Sequence, residues 1–315
     1  MLYYNQRASR IWVPAWRKRE ADMEKSEKST GFGRAAILAS ALLWGLAGVC
    51  VKEIDGWPTT SIVAVRSFLS LLIITAAKLI RDRSLKIQFS LRNIGGAAAA
   101  AATGLLYVQS IKMTTAGTAI VLQYVAPILV LLWSVLFAGR RLKLYEALIT
   151  AAVFGGIILS FADSLEPGKI VGNFLGLASG VTFAAQIIIM NDAQTDSLDS
   201  MWLSSAASLL LSLPFAFAVA PDALNAHNLI WLVILGIFQY GGGNLLFALG
   251  IPRTDGIEAS LLLNLEPVFN PIPVALIYGE KMGPLAIAGS IIVIAFVALY
   301  GALPAIRRRF SEEKE

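Results

Sequence analysis

The chain has 315 residues, 57% of them hydrophobic and only 15% charged, with a mean hydropathy of +0.68. A soluble domain carries roughly a quarter charged residues, so the composition excludes one and predicts a polytopic membrane protein. Cys50 and His227 are each alone, which excludes a disulfide framework, a thiolate metal site and a His-rich metal site within one chain. The formal charge of +5 is no nucleic-acid footprint; what matters is where the Lys and Arg lie relative to the bilayer.

Residues 1–33 form an N-terminal tail, in which Arg7, Arg10, Arg17, Lys18 and Arg19 mix with Tyr3, Tyr4, Trp12 and Trp16. It holds no apolar core of signal-peptide length. Three readings stand: an interfacial anchor, a disordered tail, or a true start at Met23. Ten apolar segments follow, at 35–52, 58–79, 93–112, 116–138, 146–162, 170–190, 200–220, 228–251, 257–278 and 284–304. Each is near the ~20 residues that a spanning helix requires, the fifth being shortest. The expected fold is an all-α membrane protein with ten transmembrane helices, ending in a basic tail over 305–315.

With the N-terminus inside, inner segments hold 21 of the 26 Lys and Arg, outer loops hold four, and Arg66 lies within a span. The positive-inside rule then places both termini in the cytoplasm. The acidic loop Asp192–Asp199 runs against this trend, although acids contribute little to the rule.

The two halves repeat. Leu38, Ala39, Ser40 and Trp44 recur 139 residues later as Leu177, Ala178, Ser179 and Phe183. At a shift of 140, Gly96 maps to Gly236, and Leu105, Leu106 and Tyr107 map to Leu245, Leu246 and Phe247. The same shift takes Thr114, Ala119, Leu122, Pro127 and Gly139 to Thr254, Ala259, Leu262, Pro267 and Gly279. Five spans per copy is an odd number, so the second copy enters from the opposite side. Two inverted five-helix repeats follow, over 34–163 and 170–304, with the expected solute site at midplane between them.

The ninth segment carries the most chemistry. Glu266 falls near mid-membrane, flanked by Asn264 and Asn270, among Pro267, Pro271 and Pro273. Each proline removes an N–H and pushes away the carbonyl four residues back, so these prolines and Pro127 mark helix breaks. Freed carbonyls persist at that depth only if buried in protein or lining a wet cavity. An ionised acid there must be protonated, paired or wet. Glu266 therefore reads either as a group that takes up and releases a coupling proton or as a structural acid bonding the backbone beside Pro267. Arg66 reads as a holder of an anionic solute group, a partner of Glu266, a side chain snorkelling to the outer surface, or one that satisfies carbonyls of a neighbouring helix. Candidate cavity residues are Trp44, for which core packing is the alternative, and Tyr107, Gln109, Gln123, Tyr124, Gln186, Gln239, Tyr240 and Asn244, for which the alternative is helix-to-helix glue. The Gly241–Gly243 run, Gly104 and the alanines of 97–102 fit close helix approach or hinge motion. Enzyme signatures are missing: there is no H-E-x-x-H and no G-x-S-x-G.

Over residues 33–303 the chain resembles the EamA-like members of the drug/metabolite transporter superfamily. The resemblance is carried by Leu43-Trp44-Gly45, Arg66, the Pro127 segment, and L-E-P-V-F-N-P at 265–271 followed by Gly279-Glu280. Two positions depart from the family pattern: Gly139-Arg140 stands where Gly-Glu is expected, and Ser205 is the repeat mate of Arg66. The resemblance implies a secondary transporter of a small metabolite in the cytoplasmic membrane, with outward movement by analogy. It implies neither a cofactor nor catalysis. Proton coupling, uncoupled facilitation or exchange, and a non-transporting scaffold role stay open as alternatives.

Overall fold

The computed structural model describes residues 27–113, 116–141, 143–160, 162, 170–216, 219, 221–278 and 283–312. Most of the N-terminal tail, the Asp163–Lys169 loop, Gly279-Glu280 and the last residues of the basic C-terminal tail lie outside the described residues. Every regular element among the described residues is a helix, with no strand.

The first half comprises α1 (Glu27–Gly45), α2 (Ala47–Lys52), α3 (Thr59–Asp82), α4 (Leu91–Met113), α5 (Ala116–Gln123), α6 (Ala126–Leu136) and α7 (Leu144–Ser160). The second comprises α8 (Ile170–Asn191), α9 (Ser197–Ser212), α10 (Ala226–Val233), a π-helical stretch (Ile234–Gly242) and α11 (Gly243–Gly250). It continues with α12 (Gly256–Leu263), α13 (Leu265–Phe269), α14 (Pro271–Tyr278) and α15 (Pro284–Glu312).

Five stretches are long and apolar enough to cross a bilayer: Gly31–Val51, Thr60–Asp82, Ala119–Leu136, Ile170–Asn191 and Ala226–Arg253. Leu144–Ser160 and Pro284–Tyr300 are shorter apolar helices. The other three predicted segments are diluted for separate reasons. Helix α4 is rich in Ala and Gly and opens with Arg92 and Asn93. Helix α9 buries Ser204, Ser205, Ser208 and Ser212. The ninth segment is broken into α12, α13 and α14. Polarity is arranged inside out, as hydrocarbon demands: Ser40, Ser70, Ser179, Ser205 and Asn244 are buried, while Leu72, Leu132, Leu148, Val181, Leu210 and Ile291 point outward.

The most extensive helix contacts all join one half to the other: α4 with α8, α7 with α15, α9 with α3 and α4, α11 with α1, and the π-helical stretch with α3. Small residues set these crossings. A Cβ on Gly96 would lie 3.1 Å from Ser200 Oγ, and one on Gly156 would lie 3.0 Å from the Gly289 carbonyl. At Gly104 a Cβ would meet nothing within 4 Å, so of the two expectations close approach does not apply there.

One face collects the helix ends bearing most of the described cations. Arg34 Nε meets Glu258 Oε1 at 2.6 Å, Lys78 Nζ meets Asp199 Oδ1 at 2.5 Å, and Arg81 Nη2 meets Asp196 Oδ2 at 2.6 Å. Arg92 Nη1 lies 3.1 Å from Asp192 Oδ1, and Arg140 Nη1 lies 2.9 Å from Asp255 Oδ2. In all five pairs the first half supplies the cation and the second half the acid. Asp192–Asp199 is thus the counter-charge of the opposite repeat. The departure at Arg140 is explained in the same way, since Arg140 bridges Asp255 and Glu146.

The opposite face is joined by different chemistry. His227 Nε2 lies 3.0 Å from Glu53 Oε2, the Asp55 N–H donates to Asn228 Oδ1, and Trp57 Nε1 donates to the Ala223 carbonyl.

Candidate functional site: two facing helix breaks

Pro127 and Pro267 do what their chemistry requires. Helix α5 stops at Gln123 and α6 restarts at Ala126; α12 stops at Leu263 and α13 restarts at Leu265. Pro127 deprives the Gln123 carbonyl of its helical donor, and Pro267 does the same to Leu263. Asn270 separates α13 from α14, whose first turn holds both Pro271 and Pro273. Pro273 therefore adds no break of its own, since first-turn N–H groups lack an intrahelical partner anyway.

Under the 140-residue shift the break residue Tyr124 corresponds to Asn264. The two breaks face each other, and the Tyr124 hydroxyl donates to Glu266 Oε2 at 2.6 Å. Tyr107 lies within electrostatic range of both. Glu266 and Tyr107 are half-buried side chains. Asn264 is fully buried, donates to the Ser260 carbonyl at 2.7 Å, and leaves its Oδ1 without a partner.

Each break is received by the first long helix of the opposite half. On α1, a Cβ at Gly45 would lie 2.9 Å from Phe269 Cδ1 and 3.2 Å from the Glu266 carbonyl, so glycine lets the broken helix approach. On α8, a Cβ at Gly180 would lie 2.7 Å from the Leu122 carbonyl and 2.8 Å from that of Gln123. Phe183 meets Tyr124 edge-on at 6.1 Å between ring centroids. Phe183 and Gly180 were not singled out from the sequence; the signal was available, because Phe183 is the repeat mate of Trp44.

Trp44 links this centre to the eighth segment. Its ring packs on Phe247 at 5.5 Å, and its carbonyl accepts from Gln239 Nε2 at 3.0 Å. A Cβ on Gly243 would lie 2.5 Å from the indole. The neighbouring backbone is π-helical, and there a Cβ on Gly241 would come within 2.7 Å of the Gly236 carbonyl. Glycine at 241 thus permits the wider turn, a form common at functional sites. Tyr240, next in line, lies under the Arg66 guanidinium, 4.6 Å from ring centroid to Cζ. Asn244 reaches Ser70 Oγ at 3.4 Å, and Ser70 contacts Ser205 at 3.1 Å.

Most of the expected residues therefore form one contiguous set running from Tyr124 and Glu266 past Trp44 to Gln239, Tyr240 and Arg66. Asn270 takes part through its backbone, donating to the Glu266 carbonyl at 2.9 Å. Gln186 is buried on α8, and Gln123 ends α5. Gln109 is exposed on α4.

Interleaved apolar helices around paired helix breaks define an integral, multi-pass membrane protein. The chain belongs to the EamA-like transporter family, whose pattern matches residues 31–162 and again 170–302. It is 24% identical over 282 residues to an "Uncharacterized transporter" of Archaeoglobus fulgidus, covering 85% of this chain and 96% of that one. It is 25% identical to the "Uncharacterized inner membrane transporter YicL" of Salmonella typhimurium, over 85% and 96% of the two chains. It is 21% identical to "Solute carrier family 35 member G1" of Mus musculus, over 71% and 66%. A solved crystal structure shares the fold at a TM-score of 0.75 and 18% identity, covering 88% of this chain and 98% of that one.

Proposed function

We propose that this protein is a secondary transporter of a small metabolite, working by alternating access around a midplane cavity at Glu266. The observation that carries this reading is the Tyr124–Glu266 hydrogen bond. It ties the break of one repeat to the acid at the break of the other, where inverted-repeat transporters hold their solutes. The chain then forms ten spans in two inverted repeats, and the basic face lies in the cytoplasm by the positive-inside rule. The five inter-half ion pairs form a closed inner gate, which opens when those pairs separate.

Glu266 as a proton carrier is the finer part of the proposal. A half-buried carboxyl held by one phenol hydroxyl can gain and lose a proton without disturbing a salt bridge. The competing reading, an uncoupled facilitator or exchanger with a structural acid, draws on the same hydrogen bond, since a structural acid also needs a donor. Outward direction rests on family analogy.

The test is solute counterflow in proteoliposomes, with and without a pH gradient. Uphill accumulation that follows the gradient, and is lost in Glu266→Gln, supports coupling. Gradient-independent exchange by both proteins favours the facilitator. Flux no greater than that of protein-free vesicles for every solute tried would leave the scaffold role in front.

A further inference from the structure

The Arg66 guanidinium is a charge without a counter-charge. It lies in the span Thr60–Asp82, roughly 10 Å along α3 from its first residue at ~1.5 Å per residue. Among the described residues it makes no ion pair and no hydrogen bond; its one recorded contact is the face of Tyr240. Nε is shut away without a partner, while the side chain as a whole keeps accessible surface. The open edge is therefore the pair of Nη groups, the fork that binds carboxylate and phosphoryl oxygens with two parallel hydrogen bonds.

The surroundings hold this fork in place. Gly236 brings the π-helical stretch against Leu69, and a Cβ on Gly241 would lie 3.2 Å from the Ser70 Cα. Tyr240 lies between these two close approaches, with its ring centroid 4.6 Å from the Arg66 Cζ. Gln239, buried beside it, spends its amide N–H on the Trp44 carbonyl and leaves Oε1 unpartnered. A guanidinium cannot shed its proton, and a cation–π contact offsets only part of its desolvation. The remainder must come from water or from an anion that enters.

We propose that Arg66, backed by Tyr240, is the anion-recognition element of the solute site, and that the transported metabolite carries a carboxylate or phosphoryl group. This rests on the transporter reading above. Trp44 connects the two parts: its carbonyl holds Gln239 beside Tyr240, and the adjoining Gly45 abuts the Glu266 carbonyl. The competing source of the same chemistry is a lipid headgroup phosphate.

The experiment uses the full chain in a phosphate-free maltoside detergent. Acetate and inorganic phosphate are compared with chloride at constant ionic strength, with thermal unfolding as the readout. The expected result is a rise in midpoint with both oxyanions for the wild type, a smaller rise in Arg66→Lys, which keeps charge but not fork, and none in Arg66→Gln. Arg141→Gln, an exposed arginine on the basic face, should respond like the wild type. An unchanged response in Arg66→Gln, or an equal loss in Arg141→Gln, would overturn the proposal. Native mass spectrometry separates the sources: an anionic lipid retained by the wild type and lost from Arg66→Gln would assign the fork to a headgroup and overturn the solute assignment. In proteoliposomes, flux confined to uncharged or cationic solutes and indifferent to Arg66→Gln would sink the anion class while leaving transport intact. An Arg66-dependent oxyanion response with no flux of any solute would instead sink the transporter reading.

Discussion

Lys78 on α3 and Asp199 on α9 meet at 2.5 Å with side chains only 2% and 0% exposed, joining the two halves at the basic face. Asp199 also accepts the Gln88 N–H, and Lys78 also reaches Asp82 at 3.0 Å. Removing one member of a buried pair leaves an uncompensated charge, which costs about 3–5 kcal/mol. Asp199→Asn should therefore lower the unfolding midpoint clearly, toward the smaller figure because Asp82 remains. The exchange Lys78→Asp with Asp199→Lys should recover part of the loss. If Asp199→Asn unfolds like the wild type, the pair does not hold the halves together.

Acid should weaken the neighbouring link in a defined direction. Burial pushes the Asp196 carboxyl up, but the Arg81 guanidinium, the Asp199 backbone N–H and nearby Lys78 outweigh it and hold the group below its ordinary range. A depressed folded-state value contributes stability above the unfolded value of about 3.9 and loses it as pH falls through the folded one. Unfolding midpoints should thus decline below about pH 4. Asp196→Asn can still cap α9, where Asp196 accepts the Leu198 and Asp199 N–H groups, but should flatten that decline. An equally steep decline in Asp196→Asn would refute the assignment.

Tyr124→Phe removes one hydroxyl and leaves the aromatic contact with Phe183. A hydrogen bond is worth about 0.5–1.5 kcal/mol to a neutral partner and about 1.5–3 kcal/mol to a charged one, so the variant should fold and yet transport poorly. Its flux should lose its dependence on a pH gradient, as should that of Glu266→Gln. Wild-type flux and pH response in Tyr124→Phe would detach the pair from the transport cycle.

Pro127→Ala and Pro267→Ala each restore an N–H that can close the helix over a carbonyl now left free. Folding should be kept or improved, while flux falls by about tenfold or more, because the broken geometry places the site. Normal flux in both variants would reduce the prolines to packing features.

Cysteine labelling decides the orientation. Cys50 is buried and should stay silent without replacement. Asp222→Cys lies on the face bearing His227 and should react with an impermeant reagent applied to intact cells. Arg141→Cys, exposed on the basic face, should react only after permeabilisation. The reverse pattern would invert the topology and turn the proposed inner gate into an outer one.

Much of this architecture is legible in the residues themselves. Pro127 and Pro267 announce breaks because a missing N–H acts locally, whatever the tertiary context. The repeat is readable because both copies retain one proline, Pro127 and Pro267, and several small residues at shifts of 139 to 140. The π-helical turn at Ile234–Gly242 was not readable, since a glycine run permits a wide turn without requiring one. The structure also places open space beside Gly104 and leaves Gln109 exposed; helical periodicity in a mostly apolar segment does not say which face meets protein.

Composition and short-range chemistry alone determined that this chain lives in a bilayer, that its halves repeat, and that Glu266 stands at a broken helix. Only the tertiary structure decided that the halves interleave, so that α1 receives the second break and α8 the first. That pairing brings Tyr124 to Glu266 across 142 residues of sequence and sets five cations of one half against five acids of the other. The reason is physical: backbone and hydropathy constraints act within a helix, whereas the partner of a buried charge or a freed carbonyl is chosen by packing among helices whose apolar surfaces look alike in sequence.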